Sequence, residues 1–121
     1  MVNRPSPITS HALAKAFQNC GLGSGDAVLV HSDLFAMGPV SGKRDRILPT
    51  YVDAIWDVIG EKGTLVVPAF FYEYGRFGTP YDIGTSPVSR ELGFFSRYVA
   101  SQSGALRSPN PLTALAAVGD R

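Results

Sequence analysis

Apolar positions along the chain switch between helical spacing and short unbroken runs, and the switches mark the elements. Thr9-Ser10 offers an N-cap, after which Ala12, Leu13, Ala16, Phe17 and Cys20 recur on one helical face until Gly21 supplies a stop. Cys20 is therefore expected on the apolar face, as a small hydrophobe. Ala27-Val28-Leu29-Val30 is an unbroken apolar run, which predicts a strand covered on both faces. A second helix is expected from Pro49, with Tyr51, Val52, Ile55, Trp56 and Ile59 inward and Gly60 as its end. Thr64-Leu65-Val66-Val67 is a further strand of the buried type, so the stretch from Ala27 to Val67 predicts two neighbouring parallel strands joined by a helical crossover.

From Pro68 to Pro87 no period is sustained, and Phe70, Phe71, Tyr72, Tyr74, Phe77 and Tyr81 stand among glycines, which predicts one long loop. Ser89 is expected to cap a third helix carrying Leu92, Phe95, Tyr98 and Val99, and Leu115-Ala116-Ala117-Val118 is expected as a last strand. The pattern amounts to an α/β fold: a layered α/β/α sandwich around a largely parallel or mixed sheet, with residues 1–121 as a single α/β domain.

Composition narrows the function. With 45% apolar and 17% charged residues the chain can form a core, and a formal net charge of +1 without any run of basic residues gives no track for nucleic acid. A single cysteine rules out an internal disulfide, the leader before Thr9 lacks a signal-peptide core, and no apolar run is long enough for a membrane helix. The expected location is cytoplasmic, without nucleic acid or membrane as partner. The hydrolase elbow, P-loop and common metal-ligand spacings do not occur, so no metal is expected.

In open α/β sheets ligands settle beyond the carboxyl ends of strands. Here those ends carry His31-Ser32-Asp33-Leu34 and Pro68-Ala69-Phe70. His31 can serve as a base or ligand partner, or it can be a neutral imidazole tied to backbone. Ser32 can hold a polar ligand, and Asp33 can do the same or merely cap its loop. Glu73 and Asp82, among aromatic rings, suit a polycationic amino sugar; the alternative is solvated loop charge. Gly21-Leu22-Gly23-Ser24-Gly25 follows a helix and precedes a strand, the reverse of a dinucleotide fingerprint, and is expected to be a turn. His11 and the Asp53/Asp57 pair are expected on solvated helix faces.

Several ordered segments carry a resemblance: Val30-His31-Ser32-Asp33-Leu34, Gly63 through Phe70, Tyr81-Asp82 with Pro87 and Leu92-Gly93, then Gly104 through Pro111 followed by Ala116 to Gly119. In this order and spacing the sequence resembles the aminoglycoside 3-N-acetyltransferase family, from about Leu22 to the last residue. The resemblance implies an acetyl-CoA-dependent N-acetyltransferase, linked to antibiotic resistance, that acetylates an amine of an aminoglycoside or related amino sugar. It implies that His31, Ser32, Leu34 and Pro68 line the acetyl-CoA site, and that Ser89 and the Arg107-Ser108 turn hold its pantetheine or phosphate end. Family members are longer chains and often have His where Asn110 and Thr113 stand here, so the resemblance further implies a truncated, N-terminal portion whose catalytic groups lie beyond Arg121. A non-catalytic or degenerate CoA-binding fragment is the alternative; half of a split assembly or a homo-oligomer formed through an open sheet edge is another.

Overall fold

A computed structural model describes residues 9–31, 47–89 and 92–119. Helix α1 (Ser10–Asn19) starts where the sequence requires: the Thr9 side chain accepts the Ala12 N–H at 3.0 Å, satisfying one of the donors that a helix start leaves bare. Beyond it Gly21 and Gly25 take positive φ, and the Gly23 N–H is held by the Asp26 carboxylate at 2.8 Å, so the glycine-rich stretch is the expected turn. Cys20 is exposed at the helix end rather than on the apolar face, one position after the last full turn that meets the core.

Strand β1 (Ala27–Leu29) leads to helix α2 (Ile47–Ile59), which begins two residues before Pro49. Strand β2 (Thr64–Pro68) follows through a tight turn in which a Cβ on Gly63 would lie 2.6 Å from the Ile59 Cβ. The presumed long loop contains a short helix, α3 (Glu73–Phe77), too brief for any period to register in the sequence. Helix α4 (Gly93–Ala100) precedes the two-residue strand β3 (Leu106–Arg107) and strand β4 (Leu115–Gly119). Ser89 does not cap α4; its hydroxyl is used elsewhere, and the residue before α4, Leu92, offers no side-chain cap.

The four strands form one sheet in the order β1-β2-β4-β3. β1 and β2 are parallel, as the crossover pattern predicts, and the β2–β4 and β4–β3 pairs are antiparallel, which makes the sheet mixed and the fold α/β. Register assigns the two faces, since side chains alternate along a strand and directly paired residues share a side. Val28, Leu65, Val67, Ala116 and Val118 face the core, where Leu13 of α1, Tyr51, Ile55 and Ile59 of α2, and Phe95 and Val99 of α4 pack against them.

The opposite face carries Ala27 and Leu29, Val66, Ala117, Leu115 and Leu106. It is open among the described residues: Leu106 is 77% and Leu29 50% exposed, and Val66 and Ala117 are only half-buried. Among the described residues β1 is covered on one side, and an unbroken apolar run records that both faces are apolar and not that both are occupied.

Candidate functional site

The carboxyl ends of β1 and β2 lie side by side. Leu29 pairs with Val66 and the Val30 N–H donates to the Val66 carbonyl at 2.8 Å, so continuing the register brings His31 level with Pro68. His31 is exposed there, whereas Pro68 closes β2 and is buried. Ser32, Asp33 and Leu34 lie outside the described residues.

Past Pro68 the chain becomes an anchor for two distant segments, 111–114 and the one that carries Ser89. The Ala69 N–H donates to the Ala114 carbonyl at 2.8 Å, and the Phe71 N–H to the Pro111 carbonyl at 2.7 Å. The Phe70 carbonyl accepts the Ser89 N–H at 2.9 Å, and the Ser89 hydroxyl then accepts the Tyr72 N–H at 2.8 Å while donating to Glu73 Oε2 at 3.1 Å. Ser89 is buried and Glu73 half-buried, so this small network fixes one carboxylate oxygen at the foot of α3.

Arg107 ties the same end of β2 to the aromatic segment. Its Nε and one terminal nitrogen both donate to the Ala69 carbonyl, at 3.0 and 2.6 Å; that terminal nitrogen also reaches the Pro87 carbonyl at 3.2 Å, and the other terminal nitrogen donates to the Ser86 carbonyl. The guanidinium lies 5.0 Å from the centre of the Tyr81 ring, which in turn stacks on Phe71, and the Tyr81 hydroxyl donates to the Ser108 carbonyl at 2.9 Å. Partial burial lowers the Arg107 pKa, and the neighbouring Tyr81 acts in the opposite direction. The Ser108 hydroxyl accepts the Leu115 N–H at 2.8 Å, which joins the turn after β3 to the start of β4.

The structure thus gathers Pro68, Ser89, Glu73, Arg107 and Ser108 around the end of β2, with His31 one strand away. It leaves Asp82 apart from Glu73 in role: its Oδ1 accepts the Gly84 and Thr85 N–H groups at 2.8 and 3.0 Å, an Asx arrangement that shapes its own turn. Asp53 and Asp57 are exposed, as is His11. Asn110 accepts the Leu112 N–H through its side chain at 3.0 Å, so this residue has a turn-forming use.

A groove of about 800 Å³ opens on the far side of Arg107, between α4 and the segment 83–88, with Ile83, Phe94, Arg97, Tyr98 and Leu106 on its walls. Of the expected site residues that are described, only Arg107 borders it. No cluster of three or more metal-ligating side chains occurs among the described residues. No helix among them is long and apolar enough to cross a membrane.

Residues 29–121 match the family described as aminoglycoside 3-N-acetyltransferase. The chain belongs to that family. Within it, the sequence is 30% identical over 92% of its length to aminoglycoside N(3)-acetyltransferase III of a Salmonella species, and 31% identical over 93% of its length to aminoglycoside N(3)-acetyltransferase VII of Streptomyces paromomycinus. It spans 43% of the length of each of these curated relatives. Among solved structures, the acetyltransferase AAC-IIIb in a binary complex with CoASH superposes with a TM-score of 0.78 at 26% identity, over 94% of this chain and 47% of that one. The family membership inferred from the ordered motifs and the mixed α/β sheet therefore both hold.

Two contributors to the site were not foreseen. Tyr81 stands in the sequence as an aromatic ring and as part of the Tyr81-Asp82 segment, and its stacking against Arg107 depends on partners that sequence spacing does not mark. Ala69 contributes a backbone carbonyl, a group invisible to any reading of side chains.

Proposed function

We propose that this chain forms part of an acetyl-CoA-dependent N-acetyltransferase acting on an amine of an aminoglycoside or a related amino sugar. The observation that carries the proposal is the convergence of Pro68, Ser89, Glu73, Arg107 and Ser108 at the carboxyl end of β2, next to His31 at the end of β1, in a chain whose relative AAC-IIIb binds CoASH. Such strand ends are where open α/β sheets receive ligands. His31, Ser32, Leu34 and Pro68 would line the path of the thioester carrier, with Ser89 and the Arg107-Ser108 turn supporting that wall. Glu73 and Asp82 would present carboxylates to a polycationic acceptor.

In the reaction the neutral amine nitrogen attacks the thioester carbonyl carbon and forms the new C–N bond. The C–S bond breaks, its electron pair leaves on sulfur as the CoA thiolate, and the nitrogen sheds a proton to a base or to water. The oxyanion that develops between these steps calls for a hydrogen-bond donor aimed at it. No acyl-enzyme on Cys20 is required; Cys20 is exposed at the end of α1, before the turn that leads into the start of β1. A cytoplasmic location and a homo-oligomeric state belong to the same proposal.

The test supplies the full-length protein with acetyl-CoA and a panel of aminoglycosides and measures free thiol. Turnover above background is expected, and His31→Ala is expected to lower kcat/KM at least ~10-fold, the loss of a ligand-contacting group worth about 1.4 kcal/mol. Absence of free CoA with every acceptor would defeat the catalytic proposal. Because the chain spans 43% of its curated relatives' length, a CoA-binding protein without catalysis is the second reading, and calorimetric CoA binding without turnover would favour it.

A further inference from the structure

We infer that Arg107 is a positioning residue for the acceptor side of the site, setting the Glu73 carboxylate through the segment 86–89 rather than neutralising a phosphate of the acetyl donor. The inference rests on the proposed acetyl transfer for its ligand readout and on geometry alone for its structural one.

A guanidinium has five N–H donors, and a phosphate ligand needs at least a forked pair of them free. Four hydrogen bonds from Arg107 go to the backbone carbonyls of Ala69, Ser86 and Pro87. The Tyr81 ring lies against the same group, 5.0 Å from ring centre to guanidinium carbon, so one face is covered as well. This side chain joins the exit of β2 at Ala69 to Ser86 and Pro87, 17 and 18 residues further along the chain: its bonds span 38 residues to Ala69, 21 to Ser86 and 20 to Pro87.

The consequence passes to Glu73 in two short steps. Pinning Ser86 and Pro87 fixes the chain that enters Ser89, whose N–H is bonded to the Phe70 carbonyl. The Ser89 hydroxyl then holds Glu73 Oε2 at 3.1 Å and the Tyr72 N–H at 2.8 Å. One oxygen of Glu73 is thereby oriented by a hydroxyl whose own place depends on Arg107. Lysine is a poor replacement, since its ammonium is a compact point donor without the rigid fork by which the guanidinium reaches these three carbonyls.

The experiment uses Arg107→Lys, which keeps the charge, with two readouts. Hydrogen exchange is expected to quicken ~10-fold or more at the Ser89 and Tyr72 amides while the α2 amides keep their protection. Calorimetry is expected to show neomycin affinity falling ~10-fold and CoA affinity, whose wall the Arg107-Ser108 turn supports, falling by less than that. Unchanged exchange at Ser89 and Tyr72 would overturn the inference, and so would a ~10-fold loss of CoA affinity with neomycin unaffected, which is the signature of a phosphate ligand. If the parent chain binds no aminoglycoside, the proposed acceptor is wrong and the exchange readout alone decides the positioning role. Should the lysine variant lose α2 protection as well, Tyr81→Phe tests the same two amides, with a smaller acceleration of ~3-fold expected from the loss of the bond to the Ser108 carbonyl and none overturning the inference.

Discussion

Replacing Tyr51 by phenylalanine is expected to stabilise the fold. Tyr51 is 2% exposed in α2, and its hydroxyl meets no hydrogen-bond partner among the described residues. A buried polar group left unmade costs about 1–3 kcal/mol. Removing the oxygen leaves a void on the order of 10 Å³, and at about 24 cal/mol per Å³ the void costs only ~0.2 kcal/mol. The net expectation is a gain of about 1 kcal/mol, read in urea as a midpoint higher by roughly 0.5–1 M at constant slope. Ionisation adds a second, independent mark. Burial raises the Tyr51 phenol above its ordinary range, because the phenolate would be poorly solvated. The unfolded chain releases this proton near pH ~10 while the folded chain retains it to higher pH, so the stability this group contributes is complete below pH ~10 and is lost as pH rises through the folded value. The variant lacks that loss, and its advantage should widen above pH ~10. A lower midpoint for Tyr51→Phe would refute the reasoning and show that the hydroxyl has a partner it needs.

Two further substitutions probe the frame around the site. Gly119→Ala places a methyl group 2.8 Å from the Thr64 Cα, on a backbone with φ of 135°, and should cost ~2 kcal/mol or more in a thermal melt by parting β4 from β2. Phe95→Ala empties a position 3% exposed between α4 and the sheet, and a loss of about 3–5 kcal/mol is expected in chemical denaturation, close to the whole stability of a small domain.

The parallel unit of β1, α2 and β2 was legible because each element carries its own period, and Thr9 and Gly21 mark the ends of α1 through local chemistry. α3 and β3 were not legible, because five and two residues hold less than one repeat of anything. Ser89 shows a different limit. A serine before an apolar helical pattern has the look of a cap, yet Tyr72 and Glu73, 17 and 16 residues earlier, claim its hydroxyl. The Arg107 knot is harder still, since its acceptors are main-chain oxygens and every residue type has one. Among the candidate site residues, sequence could nominate Pro68, Ser89, Glu73, Arg107 and Ser108 but could not say that two of them act on the others.

The strand order has a consequence for how the sheet is completed during synthesis. β4, the last described strand to leave the ribosome, stands between β2 and β3 and is the described strand that holds β3 to the rest. Until it emerges, the parallel pair has one side unsatisfied and the Arg107 turn has no neighbour to brace it. A nascent chain paused before Leu115 therefore presents main-chain donors and acceptors along β2 to whatever is nearby, and chaperone engagement should be greatest in that interval and fall once Gly119 is clear.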